Sequence, residues 1–117
     1  MLLSLITIHP FPGDESKIID VLDSMQRLIA TSLDCQGCVI TAEAGTGKSI
    51  CYMERWRTRE ALDRHLRSTL YCRVLEAMEL SRIPPTVEFF EITGIGGLDL
   101  IESVRLHPVD NDKSEPI

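Results

Sequence analysis

Between Ser49 and Ser68 the spacing of apolar residues changes period once, from two to about three and a half, so a strand passes directly into a helix. In the first half, Ile50, Tyr52, Glu54 and Trp56 alternate with Cys51, Met53 and Arg55, so a strand here carries two distinct faces. The second half reads as a helix. Thr58 is placed to cap it, Glu60 falls in the first turn where the helix dipole favours a carboxylate, and Ala61, Leu62, His65 and Leu66 follow at helical spacing. A strand that ends in Trp56 and feeds a helix bearing His65 brings an indole, a carboxylate and an imidazole to one side of a sheet.

The other segments fit the same plan. Met1 to Ile8 reads as a strand, stopped by His9-Pro10-Phe11-Pro12-Gly13. Asp14 is placed to cap a helix running from Glu15 to about Ser32, with Ile18, Val21, Leu22, Met25, Leu28 and Ile29 at steps of three and four. Asp34 to Gly37 turns the chain into a strand from Cys38 to about Glu43, and Ala44 to Lys48 links it to the next strand as a hairpin. Ser68-Thr69 interrupts the helix that follows, and Leu70, Tyr71, Val74, Leu75 and Met78 mark its second part. After Pro84-Pro85, Thr86 to Ile92 alternates as a further strand.

Strand, helix, strand, strand, broken helix, strand is the split β-α-β order of a ferredoxin-like α+β domain, expected here over residues 1–93. Beyond the glycines at 94, 96 and 97, residues 94–109 read as an extension whose Leu98, Leu100, Val104 and Leu106 alternate; we expect a fifth strand that reaches across to a second subunit. Residues 110–117 read as a frayed polar tail. Helices cover only one face of a ferredoxin-like sheet, yet Cys51 and Met53 make the opposite face of the third strand apolar as well. A homodimer that seals that face is the expected arrangement.

At 117 residues the chain accommodates one core, and its net charge of −6 argues against nucleic acid or an anionic membrane as the main partner. The apolar opening run is too short to span a bilayer and has no basic flank, so the expected location is cytoplasmic. Cys35 and Cys38 form a C-x-x-C, but no second close pair or histidine pair accompanies them as a structural zinc site requires. Cys38 leads into a strand rather than opening a helix, unlike a thioredoxin-type motif. The expectation is four reduced, structural cysteines and no metal.

Two motifs bear on chemistry. Ala42 to Ser49 departs by one residue from the phosphate-binding pattern G-x-x-x-x-G-K-[ST], but the strand-like residues after Lys48 leave no helix N-terminus to receive phosphates. A hairpin turn accounts for it. The set Tyr52, Glu54, Trp56 and His65 admits a bland account, in which a core histidine keeps one hydrogen bond and aromatic rings fill space. It also admits a functional one, since an imidazole beside a carboxylate in an apolar site is suited to taking a proton from an organic acid.

Glu54-x-Trp56, Glu60-Ala61-Leu62, His65 and Ser68, with Gly37-Cys38 before the second strand and Val87 to Ile92 at the end, resemble the antibiotic biosynthesis monooxygenase family of dimeric α+β barrels over roughly residues 2–92. The resemblance implies a homodimer with a pocket between sheet and helices in each protomer, and the family's oxidation of polycyclic phenols or quinols by molecular oxygen without metal, flavin or haem; the compound expected here is a small aromatic or quinol-like one. It implies His65 as proton acceptor, Trp56 and Tyr52 as an aromatic wall, and Glu54 as the group that orients a polar partner. A haem-degrading branch of the same fold uses an asparagine on the first strand, a helical tryptophan and a later histidine. Here the first strand has no asparagine, His65 takes the tryptophan's place and Leu75 falls near the iron ligand's, so haem chemistry is not expected. The alternative to an enzyme is a non-catalytic dimer of this fold that binds or senses a small ligand; a third reading is a structural dimer with a filled core.

Overall fold

Alternation along the strands decides which side of the sheet is buried. Ile50, Tyr52, Glu54 and Trp56 are buried to a residue, whereas Cys51 and Met53 between them are half-exposed and Arg55 is open to solvent. The computed structural model describes residues 1–44 and 48–107. Its elements are β1 (Leu2–Ile8), α1 (Glu15–Ile29), β2 (Cys35–Ala42), β3 (Ile50–Trp56), α2 (Arg59–Arg67), a 3-10 turn (Thr69–Tyr71), α3 (Cys72–Glu79), β4 (Thr86–Glu91) and α4 (Leu98–Leu106). The strands form one antiparallel sheet in the order β2-β3-β1-β4, with β1 and β3 central. The fold is therefore the ferredoxin-like α+β arrangement expected from the element order. Gly45 to Gly47 of the hairpin connection and the tail from residue 108 lie outside the described residues.

Register sets which side chains share the helix-covered face. Leu2, Ser4, Ile6 and Ile8 of β1 lie opposite Trp56, Glu54, Tyr52 and Ile50 of β3. Ile18, Leu22, Met25 and Ile29 of α1 pack onto them, joined by Ala61, Leu62, Val74 and Ala77 from the later helices. Each fully buried aliphatic side chain of this set contributes about 1.5–3 kcal/mol. The opposite face carries Leu3, Leu5, Met53, Val39 and Phe90, none of them buried, and no described helix covers it.

Local chemistry explains most boundaries. Thr58, in extended conformation, accepts from the Ala61 amide at 3.1 Å and starts α2 as expected. Ser68 ends it: its hydroxyl donates to the His65 carbonyl at 2.6 Å and accepts from the Tyr71 amide at 3.3 Å, so one residue closes α2 and opens the 3-10 turn. β2 begins earlier than expected, at Cys35, through an irregularity between Cys35 and Gly37. The Arg55 guanidinium lies against Gly37 and donates to the Gln36 carbonyl at 3.1 Å; a Cβ at position 37 would stand 2.5 Å from Arg55 Nη2.

Two expectations are corrected. Asp14 does not cap α1 with its side chain; its backbone is helical and its carbonyl takes the Ile18 amide. The expected fifth strand is a helix, α4. The residues read as alternating, Leu98, Leu100, Val104 and Leu106, leave out Ile101; with it, Leu98-Ile101 and Leu100-Val104 are helical pairs, and Asp99 and Arg105 sit at the dipole's favoured ends.

Candidate functional site

Glu54 is the centre of the buried polar chemistry. Its position on β3 points it into the helix-covered face, where it is completely buried. A carboxylate there is tolerated only if donors surround it. Three do: the Trp56 indole Nε1–H donates to Oε1 at 3.0 Å, the Tyr52 hydroxyl donates to Oε2 at 2.5 Å, and His65 Nε2 lies 3.0 Å from the same Oε2. An ionised carboxylate only accepts, so the hydrogen in the last contact is on Nε2. In a neutral imidazole with its hydrogen on Nε2, Nδ1 carries the lone pair; it makes no hydrogen bond to a described residue.

The imidazole is also held by its neighbours in the core. The Trp56 ring lies 4.6 Å away at an interplanar angle of 30°, and the Tyr71 ring meets His65 edge-on at 5.1 Å. Behind Tyr52, the Cys38 thiol reaches the hydroxyl at 3.4 Å, so the network runs from β2 to α2. Burial, then the Glu54 charge, raise the Tyr52 phenol well above the usual range, and the same two causes push Tyr71 up to about 12. Burial pushes the Cys38 thiol up to about 11, against the lowering effect of the Tyr52 hydrogen bond. All three stay protonated near neutral pH, and of them only Tyr52 donates to the carboxylate, with Cys38 donating to Tyr52 in turn.

The four residues singled out in the sequence therefore meet, but they do not play equal parts. Trp56 and His65 border an open cleft of about 280 Å³ between the end of α1 and α2, with Leu28, Ile29 and Leu70 as apolar neighbours. Tyr52 and Glu54, both fully buried, lie behind the imidazole and not on the cleft wall. Arg64 at the rim reaches Asp34 at 3.4 Å, and Arg57 reaches the same carboxylate at 3.7 Å. Sequence reasoning missed Leu28, Arg64 and Asp34 as cleft residues, because their meeting depends on how the end of α1 and the turn before β2 dock beside α2. Cys35, Cys38, Cys51 and Cys72 are all free thiols.

The four-stranded antiparallel sheet with helices on one face defines the class of domain, a ferredoxin-like α+β fold. A family model described as "Antibiotic biosynthesis monooxygenase" matches residues 1–77, and the chain belongs to that family. Solved structures share the fold. Rv0793 from Mycobacterium tuberculosis is 24% identical with a TM-score of 0.71, over 82% of this chain and 98% of that one. PA3566 from Pseudomonas aeruginosa is 17% identical with a TM-score of 0.66, over 80% and 94%. A structure described as an antibiotic biosynthesis monooxygenase is 16% identical with a TM-score of 0.69, over 80% and 100%. No curated protein matches the chain. No described helix is long and apolar enough to cross a membrane.

Proposed function

We propose that the chain is a homodimeric, cofactor-independent monooxygenase that oxidises a small aromatic or quinol-like compound in the cleft beside Trp56 and His65. The observation that carries this reading is the Glu54–His65 contact at 3.0 Å, with Nδ1 left as a base next to an indole face. The substrate phenol gives its proton to Nδ1; the resulting imidazolium is stabilised by Glu54, which needs no rearrangement to do so. The phenolate, more electron-rich than the phenol, transfers an electron to molecular oxygen, and recombination on the ring carbon gives a peroxide that loses water to leave the quinone. One oxygen atom enters the product and the other leaves as water, with the electrons drawn from the substrate. A cleft of about 280 Å³ favours one or two rings over a large polycycle.

Dimerisation belongs to the same proposal. The outer sheet face, with Leu3, Leu5, Met53, Val39 and Phe90, is too apolar to stay wet, and a second copy of that face covers it. Oxygen consumption with a panel of single-ring and two-ring quinols tests the activity. The proposal expects uptake above autoxidation for at least one compound and a loss of about 100-fold in His65→Ala. Uptake that His65→Ala leaves unchanged, in a protein with native circular dichroism, overturns His65 as the base; thermal stabilisation by the same compounds without uptake identifies a binding module instead.

A further inference from the structure

The helical layer stops short of β4. On the helix-facing side, Val87 and Phe89 remain 39% and 46% exposed, while their neighbours on β1, Ser4 and Ile6, are buried. The uncovered column forms a groove of about 480 Å³ against α2, walled by Leu2, Leu62, Leu66 and Phe89, with Arg59 and Glu91 at its edge. The β1 register puts Ser4 beside Phe89 but off the groove wall; Ser4 is 1% exposed, and its hydroxyl has no partner among the described residues. This groove is distinct from the cleft at His65, and the proposed chemistry does not use it.

The chain also carries a helix with nothing to lie on. All nine residues of α4 are exposed, although Leu100, Ile101 and Val104 form an apolar side flanked by Leu98 and Arg105, with Asp99, Glu102, Ser103 and Leu106 turned away from it. Such a stripe is stable in water only when covered. The segment from Ile92 to Gly97 is long enough to fold back, since six extended residues span at most about 20 Å. Yet α4 occupies no groove of its own protomer.

We infer that α4 of one subunit lies in the groove between α2 and β4 of a second copy of this chain, so that the C-terminal segment is exchanged across the dimer. Glu91, the last residue of β4, lines the groove, so the segment leading to α4 starts at the groove's rim, which favours a segment of this chain over an unrelated partner. A second observation brings in another copy. Phe90 lines the groove and also belongs to the outer sheet face, being 41% exposed, so groove and outer face form one continuous apolar surface around β4. The inference rests on the dimer proposed above, not on the monooxygenase chemistry. It keeps the exchange expected of this segment and replaces the expected strand with a helix.

The test is a mixed dimer in which one chain carries Leu100→Cys and the other, with a mass tag, carries Leu66→Cys. Each variant leaves the native cysteines in place; after mild oxidation, peptide mass spectrometry identifies which positions are joined. The expected result is a disulfide between positions 100 and 66 of different chains. A chain carrying both substitutions that instead joins 100 to 66 within itself, or a sedimenting dimer that joins them in neither way, overturns the exchange while leaving the sheet-to-sheet dimer standing. A native chain that sediments as a monomer overturns both. Because α4 is not part of the protomer core, Leu100→Asp with Val104→Asp leaves the protomer folded and raises the dimer dissociation constant about tenfold or more; an unchanged constant contradicts the inference.

Discussion

Glu54 and His65, eleven residues apart and on different elements, meet at 3.0 Å with side-chain exposures of 0% and 5%. The pair joins the core to the cleft. Glu54 is held from behind by Tyr52 and Trp56, and His65 passes that constraint to the surface.

Removing the carboxylate strands three donors in the core. Glu54→Ala is expected to destabilise the protein by about 3–5 kcal/mol, read from urea unfolding, because the Tyr52, Trp56 and His65 groups all lose their acceptor. Glu54→Gln keeps the shape and part of the hydrogen bonding, and so costs less. Equal stability of wild type and Glu54→Ala contradicts the central place given to this carboxylate.

Alkaline pH acts on the same network from the other end. The Cys38 thiol rises from 9.0 to about 11 in the fold, chiefly through burial, so its contribution to stability is complete below pH 9.0. Between 9.0 and about 11 the unfolded chain releases a proton that the native state keeps, so stability falls as pH rises. Tyr71, raised from 10.0 to about 12, extends the loss in the same direction. Urea midpoints measured across this range should decline, and the decline should be shallower in Cys38→Ala. A midpoint that stays level to pH 11 contradicts the assignment.

Much of this site was legible because it is built from short-range rules. Tyr52, Glu54 and Trp56 share a face by strand alternation, Thr58 caps the next helix, and His65 falls on that helix's apolar side; each relation spans a few residues. Their division into wall and support was not legible. That Tyr52 is buried while Trp56 reaches the cleft depends on where the end of α1 docks, and docking is tertiary. Leu98 to Leu106 failed for a different reason: a short run with leucines at even positions satisfies period two, and only Ile101 distinguishes it as a helix. Ser4 gave no signal, since a serine in a strand carries no hint that its hydroxyl will be buried without a partner.

The outer face yields a further prediction. Met53 is paired across the sheet with Leu5 on one side and Val39 on the other, at the centre of the apolar patch. Met53→Lys places an unpaired ammonium in the proposed interface, and burying it costs several kcal/mol. Sedimentation should show association weakened by about 100-fold or more, with the protomer's circular dichroism unchanged. A dimer of native affinity would remove this face from the interface.

The most direct measurement is the nitrogen-15 spectrum of His65 in labelled protein, recorded with and without an anaerobic quinol that the protein is found to consume in air. The account predicts a neutral ring with its hydrogen on Nε2, held there by Glu54, and an Nδ1 resonance that moves when the quinol binds. A hydrogen found on Nδ1, or an Nδ1 resonance indifferent to every compound consumed, would contradict it.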